Sequence, residues 1–343
     1  LDWISKIWKI PRNNLSIAGT KDKKALTAQR VSLWGTKEKF EQGRLRNLDF
    51  PTMKTKAPCL RLNEIRLGNL WGNFFDIIIR NIKSTGEETK KIIFSTLDEI
   101  ESKGGILNGF GLQRFGEQRP ITHIVGKKLL EEDVRGAIKI YIGKVFEGES
   151  DEVKEARTRF WETENARDTL NLLPSHLRIE KKLLNLLNRR KNDYLQAFNS
   201  LPNQFQKLFI HAYQSYLFNN YLRIRIENYS DNLKKPLAGE VIKEGNICVP
   251  LVGAKTHLDR EVEEIYNEIF EMEKISKEDF LKPFIKKIGG KGALRSISFK
   301  PEKLQIIDSG NDELNEKRSK IRLSFEIKKG SYATEFLREI MKL

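Results

Sequence analysis

A carboxylate set among lysines, directly after a glycine, is the most chemically suggestive feature of this sequence. In the run Ile17-Ala18-Gly19-Thr20-Lys21-Asp22-Lys23-Lys24-Ala25-Leu26, Asp22 follows a turn at what reads as a strand end. Positive charge close by favours the ionised carboxylate, which is its nucleophilic or basic form. The same lysines could hold phosphates. A solvated Lys/Asp turn is the plainer reading of these residues, because charged turns are common. Gly19 and Thr20 raise the question of a phosphate loop, but the spacing GxxxxGK[ST] is absent.

Four further segments carry chemistry-bearing types. In Gly72-Asn73-Phe74-Phe75-Asp76-Ile77, an aromatic on a strand could stack on an extruded base, and Asn73 could orient it. Alternation puts Phe75 on the face of Ile77 and Ile79, so a core aromatic is the competing account. The segment Asn108-Gly109-Phe110-Gly111-Leu112-Gln113-Arg114-Phe115-Gly116 has glycines that permit close backbone approach. Its Arg114 suits a bidentate phosphate or carboxylate contact, and a packed structural turn accounts for the segment equally well. The stretch from His211 to Asn219 follows helical spacing and reads mostly as core. His211 has no paired carboxylate in view as an acid–base partner. Finally, Gly330-Ser331-Tyr332-Ala333-Thr334-Glu335 reads as a strand end, a cap and the start of a helix.

Composition narrows the classes. The 343 residues are 39% hydrophobic and 32% charged, a folded composition with room for a substantial core. No apolar run approaches the ~20 residues of a membrane span, and Leu1–Ile10 lacks a signal-peptide core, so a cytoplasmic protein is expected. Cys59 and Cys248 form no CxxC pair, and His123, His176, His211 and His257 show no metal-ligand spacing, so no metal is expected. The net charge of +15 and pI near 9.6 favour a polyanionic partner. A lysine-rich genome bias is the bland alternative.

The elements that must position these residues follow from hydrophobic period. Leu1–Ile10 reads as a short helix, and Leu15–Ala18 and Thr27–Trp34 as short strands. Asn73–Asn81 is a strand by alternation, and Glu87–Lys103 a helix that stops at Gly104-Gly105. Helical stretches then dominate around 129–142, 151–170, 179–199 and 203–228, with another near 259–272. Short strands are expected between Pro236 and Ala254. Ser296–Ile307 and Lys320–Lys328 return to strands, joined as an antiparallel pair by the charged loop Asp308–Arg318. Strands at both ends of a helical block predict an α+β fold interrupted by an inserted domain.

In this order the blocks AGTKDKKALTAQ, GNFFDIIIR, NGFGLQRFG, HAYQSYLFN and GSYATEFLRE resemble the TruD family of pseudouridine synthases, its archaeal and eukaryotic-type members above all. The blocks run from residue 18 to residue 339. The resemblance implies a mixed-sheet catalytic domain over 1–116 and 291–343, carrying a mainly helical TRUD insertion over 117–290. It implies that Asp22 is the catalytic carboxylate, that Asn73 and Phe75 belong to the active site, and that Asn108, Arg114 and Tyr332 lie beside the cleft. Lys21, next to Asp22, would bind substrate. The third block usually carries a bulky aromatic where this sequence has Gly109. Family members also usually begin upstream of a segment like Leu1–Ile10, and that part contributes a strand and a basic residue near the aspartate. The chain is thus N-terminally short by comparison, and an RNA-binding protein of the same fold with impaired catalysis is the alternative expectation.

The activity so implied is isomerisation of a uridine in transfer RNA, characteristically at position 13. The glycosidic bond is cleaved, the base turned and a carbon–carbon glycoside formed. Nothing is added or lost, so no cofactor is expected, nor any membrane or obligate protein partner. Asp22 would attack or deprotonate the ribose, and Phe75 would stack on the base after it leaves its helix at a cost of a few kcal/mol.

Overall fold

The computed structural model describes residues 1–22, 25–35, 49–56, 63–190 and 193–342. They form two compact units, Leu1–Phe74 and Phe75–Leu343. Lys23, Lys24 and Cys59 lie outside the described residues.

In the first unit, the helix Asp2–Trp8 ends at Lys9, whose left-handed φ of 50° lets its amide close back on the last turn. Strands Leu15–Ile17 and Val31–Leu33 pair antiparallel, with Leu15 opposite Leu33 and Ile17 opposite Val31. Ser16 and Ser32 meet across this pair at 2.7 Å, and Ser16 also donates to Glu64. The segment joining the two strands carries Asp22. A second small antiparallel pair joins Asp49–Phe50 to Met53–Lys54.

The second unit has two hydrophobic cores. One lies under a three-stranded sheet with Ser319–Lys328 in the centre, Glu302–Asn311 on one side and Gly72–Ile82 on the other. Its central strand buries Ile321, Leu323, Phe325 and Ile327, which alternate with polar residues in the sequence. The helices Gly86–Lys103 and Ala333–Met341 cover that face with Ile93, Ile100, Phe336 and Ile340. Phe75, Ile77 and Ile79 pack against this core, while Phe74, Asp76 and Ile78 are exposed. On the open face Arg322 donates to both carboxylate oxygens of Asp76, at 2.7 and 2.6 Å. The helix Gly86–Lys103 begins at a capping box in which Thr85 and Glu88 satisfy each other's amides, and ends at Gly104 with φ 97°.

The other core is helical. Its spine is the helix Asn203–Ile224, which buries Phe209, Tyr213, Leu217, Phe218 and Tyr221. Three of the expected long helices are broken. The first, expected around 129–142, takes in the end of Thr122–Leu130 and then Val134–Gly143, parted where Glu132 adopts φ 62° and Asp133 caps Gly136. The second divides into Asp151–Thr163 and Ala166–Leu172 at Glu164, with φ 50°, and Asn165 caps Arg167 and Asp168. The third divides into Arg178–Arg189 and Tyr194–Asn199, the latter capped by Asp193. In each case a short polar side chain satisfies amides that a continuing helix would have bonded to carbonyls. The fourth expected helix holds its course and ends in a π turn over Arg225–Tyr229.

Charges buried in this core are paired. Arg157, 1% exposed, donates to Glu149 at 2.7 Å and to Glu180 at 3.3 Å. Arg225 and Glu240 are both fully buried and meet at 2.7 Å.

The expected strand Ser296–Ile307 falls across three strands serving three sheets. Ala293–Ser296 extends the sheet of Val241–Lys243 and Asn246–Leu251, Ser298–Phe299 pairs with Ile106–Leu107, and Glu302–Asn311 pairs with Ser319–Lys328. Ile297 is buried in the helical core and Phe299 in the sheet core. The chain therefore crosses from one core to the other within these residues.

Candidate active site

Asp22 and Lys21 are exposed in the first unit. Lys21 donates to the side-chain oxygen of Asn73, the second residue of the strand Gly72–Ile82. Two blocks far apart in sequence are thereby joined, and Asp22 is the direct neighbour of the lysine that joins them. Gly68 donates to the Ala18 carbonyl at 2.8 Å, a second tie between the same two stretches of chain.

Phe75 stacks on Phe325 with ring centroids 5.5 Å apart and is half-buried. One part of the ring thus belongs to the sheet core and part remains accessible.

The other sequence candidates gather in the second unit, where the turn Asn108–Arg114 meets the start of the terminal helix. Asn108 is buried at 4% exposure. Its amide nitrogen donates to the Ser296 carbonyl at 3.0 Å, and its side-chain oxygen accepts from Arg295 at 2.9 Å. The Asn219 side chain donates to and accepts from the Phe110 backbone, at 2.9 and 2.8 Å. Arg114 donates from Nε to Ser215 at 2.9 Å, and Ser215 donates on to the His211 carbonyl. The Phe110 ring lies 5.9 Å from the Tyr332 ring and 5.8 Å from that of Phe218. Gly111 lies close to the terminal helix, where a Cβ would sit 2.9 Å from a Glu335 carboxylate oxygen and turn that side chain aside. A cavity of about 360 Å³ opens beside this turn, lined by Leu107, Gly109, Asn219, Leu222 and Glu335 among others.

The electrostatics of this cluster differ from those of the helical core. Arg114 and Arg295 form no ion pair with a carboxylate among the described residues. Arg114 lies 5.4 Å from the centre of the Phe110 ring and Arg295 3.7 Å from it. Burial pushes both guanidinium groups below their ordinary range, Arg295 to about 10. Burial likewise pushes the Glu335 carboxyl up and lowers His211, whose Nε2 lies 3.3 Å from the Gly289 carbonyl.

Ser215, Asn219 and Arg295 were not singled out by sequence. Ser215 and Asn219 sit inside a block whose helical spacing reads as core, and both are used from that helix to hold the turn. Arg295 reaches residues far away in sequence and left no local signal.

The fold is α+β, the net charge is +15, and Arg114 and Arg295 stand at a glycine-rich turn with no ion pair among the described residues. The profile of the family described as tRNA pseudouridine synthase D (TruD) matches residues 1–248 and 242–340. The chain belongs to this family. It is 33% identical to the probable tRNA pseudouridine synthase D of Methanosarcina mazei, over 99% of this chain and 83% of that protein. Identity to the protein of the same name from Thermococcus gammatolerans is 35%, over 99% of this chain and 84% of the relative. The crystal structure of the Methanosarcina mazei family member superposes with a TM-score of 0.81 at 32% identity, covering 100% of this chain and 84% of the other.

Proposed function

We propose that the protein isomerises a uridine of transfer RNA to pseudouridine, at position 13, with Asp22 as the catalytic carboxylate. The observation that carries this reading is the family match over both ends of the chain, joined to the Lys21–Asn73 hydrogen bond that ties the aspartate's loop to the strand Gly72–Ile82. The reaction breaks the bond between N1 and the ribose C1′, forms one between C5 and C1′, and moves the C5 proton to solvent while N1 gains one. Asp22 acts at the ribose as that bond breaks, as nucleophile or as base. Phe75 stacks on the base, supported from behind by Phe325. Asn73 orients the loop through Lys21, and Arg114 offers its outer guanidinium nitrogens to a phosphate.

In this reading residues 1–116 and 291–343 make the catalytic domain and 117–290 the inserted one. The sheet core, drawn entirely from the first set of residues, supports that division, although the helical core also takes in Phe110, Phe115 and Ile297. The net charge of +15 supports a polyanionic substrate, and binding should weaken steeply with salt. No helix among the described residues is long and apolar enough to cross a membrane. A cytoplasmic enzyme completes the proposal.

The test is pseudouridine formation on an unmodified transfer RNA transcript, comparing the wild-type chain with Asp22→Asn. Product at position 13 from the wild type alone supports the reading. Equal product from both removes Asp22 from the mechanism, and no product from the wild type removes the function.

A further inference from the structure

Half-buried in the second unit, Arg295 is held in an unusual way. Arg157 and Arg225 face carboxylates, as buried guanidinium groups ordinarily do. Arg295 instead spends its nitrogens on backbone oxygens. Nε and Nη2 donate to the Asn108 carbonyl at 3.0 and 2.7 Å, Nη2 also to the Asn108 side chain, and Nη1 to the Gly330 carbonyl at 2.6 Å. Its plane lies over the Phe110 ring, with the Phe218 and Tyr332 rings at 5.4 and 5.8 Å.

A guanidinium partly withdrawn from water, with no ion pair among the described residues, is a costly way to fill space, and an apolar side chain of similar volume would do that better. What an apolar side chain cannot do is tie two backbone segments together in one plane. Arg295 ties the turn Asn108–Phe110 to the residues Gly330–Tyr332 that precede the terminal helix. It does so from Ala293–Ser296, at the point where the chain passes from the helical core toward the sheet core. A lysine could not replace it, since one ammonium is a point donor and cannot span both carbonyls while stacking on a ring.

We infer that Arg295 is a positioning residue for the reaction, holding the turn that carries Phe110 and Arg114 in register with Tyr332. The inference rests on the proposed pseudouridine synthase activity. Asn108 is then part of the clamp, because both ends of its side chain are engaged inside the protein. Arg114 keeps its outer nitrogens for substrate because Arg295, not Arg114, binds the surrounding carbonyls.

The experiment compares Arg295→Met, Arg295→Lys and Arg295→Ala with the wild type, reading single-turnover pseudouridine formation and transfer RNA affinity on the same preparations. Misplacement of a catalytic constellation by about 1 Å can cost on the order of 10²-fold in rate. Loss of that order in Arg295→Met and Arg295→Lys, with affinity close to wild type, is the expected result. Millimolar guanidinium should restore part of the rate to Arg295→Ala by filling the vacated place over Phe110, and methylammonium should not. Wild-type rates in either the Met or the Lys variant overturn the inference. So does a parallel loss of rate and affinity that guanidinium leaves unchanged, the behaviour of a residue that only stabilises the fold. An inactive wild type would instead count against the proposed function, so the two failures are told apart.

Discussion

Lys21 donates a hydrogen bond to the side-chain oxygen of Asn73, so the residue beside Asp22 is tethered to the strand that opens the GNFFD block. Among the described residues of the loop between Leu15–Ile17 and Val31–Leu33, Lys21, Asp22 and Leu26 are exposed. A flexible carboxylate would spend little time in a reactive pose, and the tether restricts it.

Asn73→Ala should therefore slow pseudouridine formation by about tenfold or more through misplacement of the loop, with little change in transfer RNA affinity. Single-turnover rates and equilibrium binding at one salt concentration provide the check. If affinity falls in step with rate, Asn73 acts on binding and the tether is incidental.

Phe75 has two duties that a single alanine substitution would confound. It packs against the sheet core through Phe325, and in the proposed mechanism it stacks on the base. Phe75→Leu keeps most of the apolar volume and removes the ring. Base stacking on an aromatic is worth ~1–3 kcal/mol, so this variant should lose about 5- to 100-fold in rate while its melting temperature moves little. Full activity in Phe75→Leu would assign the ring to the core alone.

Much of the fold was legible because it follows period. The alternation of Ile321, Leu323, Phe325 and Ile327, and of Phe75, Ile77 and Ile79, placed a buried face that the structure reproduces. The helix breaks were not legible. Glu132 and Glu164 take the left-handed conformation that usually marks glycine, and the caps Asp133, Asn165 and Asp193 sit in stretches so rich in polar residues that they do not stand out. The split of Ser296–Ile307 into three strands was hidden for a different reason. The first two pieces are short and their partners, Asn246–Leu251 and Ile106–Leu107, lie far away in sequence, whereas the pairing of Glu302–Asn311 with Ser319–Lys328 is local. Around the candidate site, the blocks named the neighbourhood and most of its residues. Arg295 escaped because its partners, Asn108 and Gly330, are linked to it only by tertiary structure.

The fully buried pair Arg225–Glu240 makes a prediction about stability rather than catalysis. Glu240 accepts from Arg225 at 2.7 Å and from Tyr221 at 3.0 Å, and Arg225 also donates to the Ser230 and Lys235 carbonyls. Removing one partner leaves an uncompensated buried charge, so Arg225→Met should destabilise by about 3–5 kcal/mol. The double variant Arg225→Met/Glu240→Met should recover part of that loss, because no bare charge remains. Denaturant midpoints of the wild type, the two single variants and the double variant measure it. A double variant less stable than the sum of the singles would contradict the account.

Glu164 should give the protein a stability term that depends on acid pH. It occupies the break between Asp151–Thr163 and Ala166–Leu172, and its side chain is 14% exposed. Hydrogen bonds from Arg135 first, then from Tyr194 and Lys139, outweigh the cost of burial and hold its carboxyl at about 2, against an ordinary 4.5. A carboxylate depressed on folding stabilises the native state above its unfolded pKa, and that contribution disappears as pH falls through the folded value. The stability gap between the wild type and Glu164→Gln should thus be complete at neutral pH and close progressively from about 4.5 toward 2. Other carboxylates titrate in both proteins and cancel in the difference. Urea unfolding of the two proteins across that range reads the gap directly, and a gap that did not change with pH would show that Glu164 acts through packing rather than through its charge.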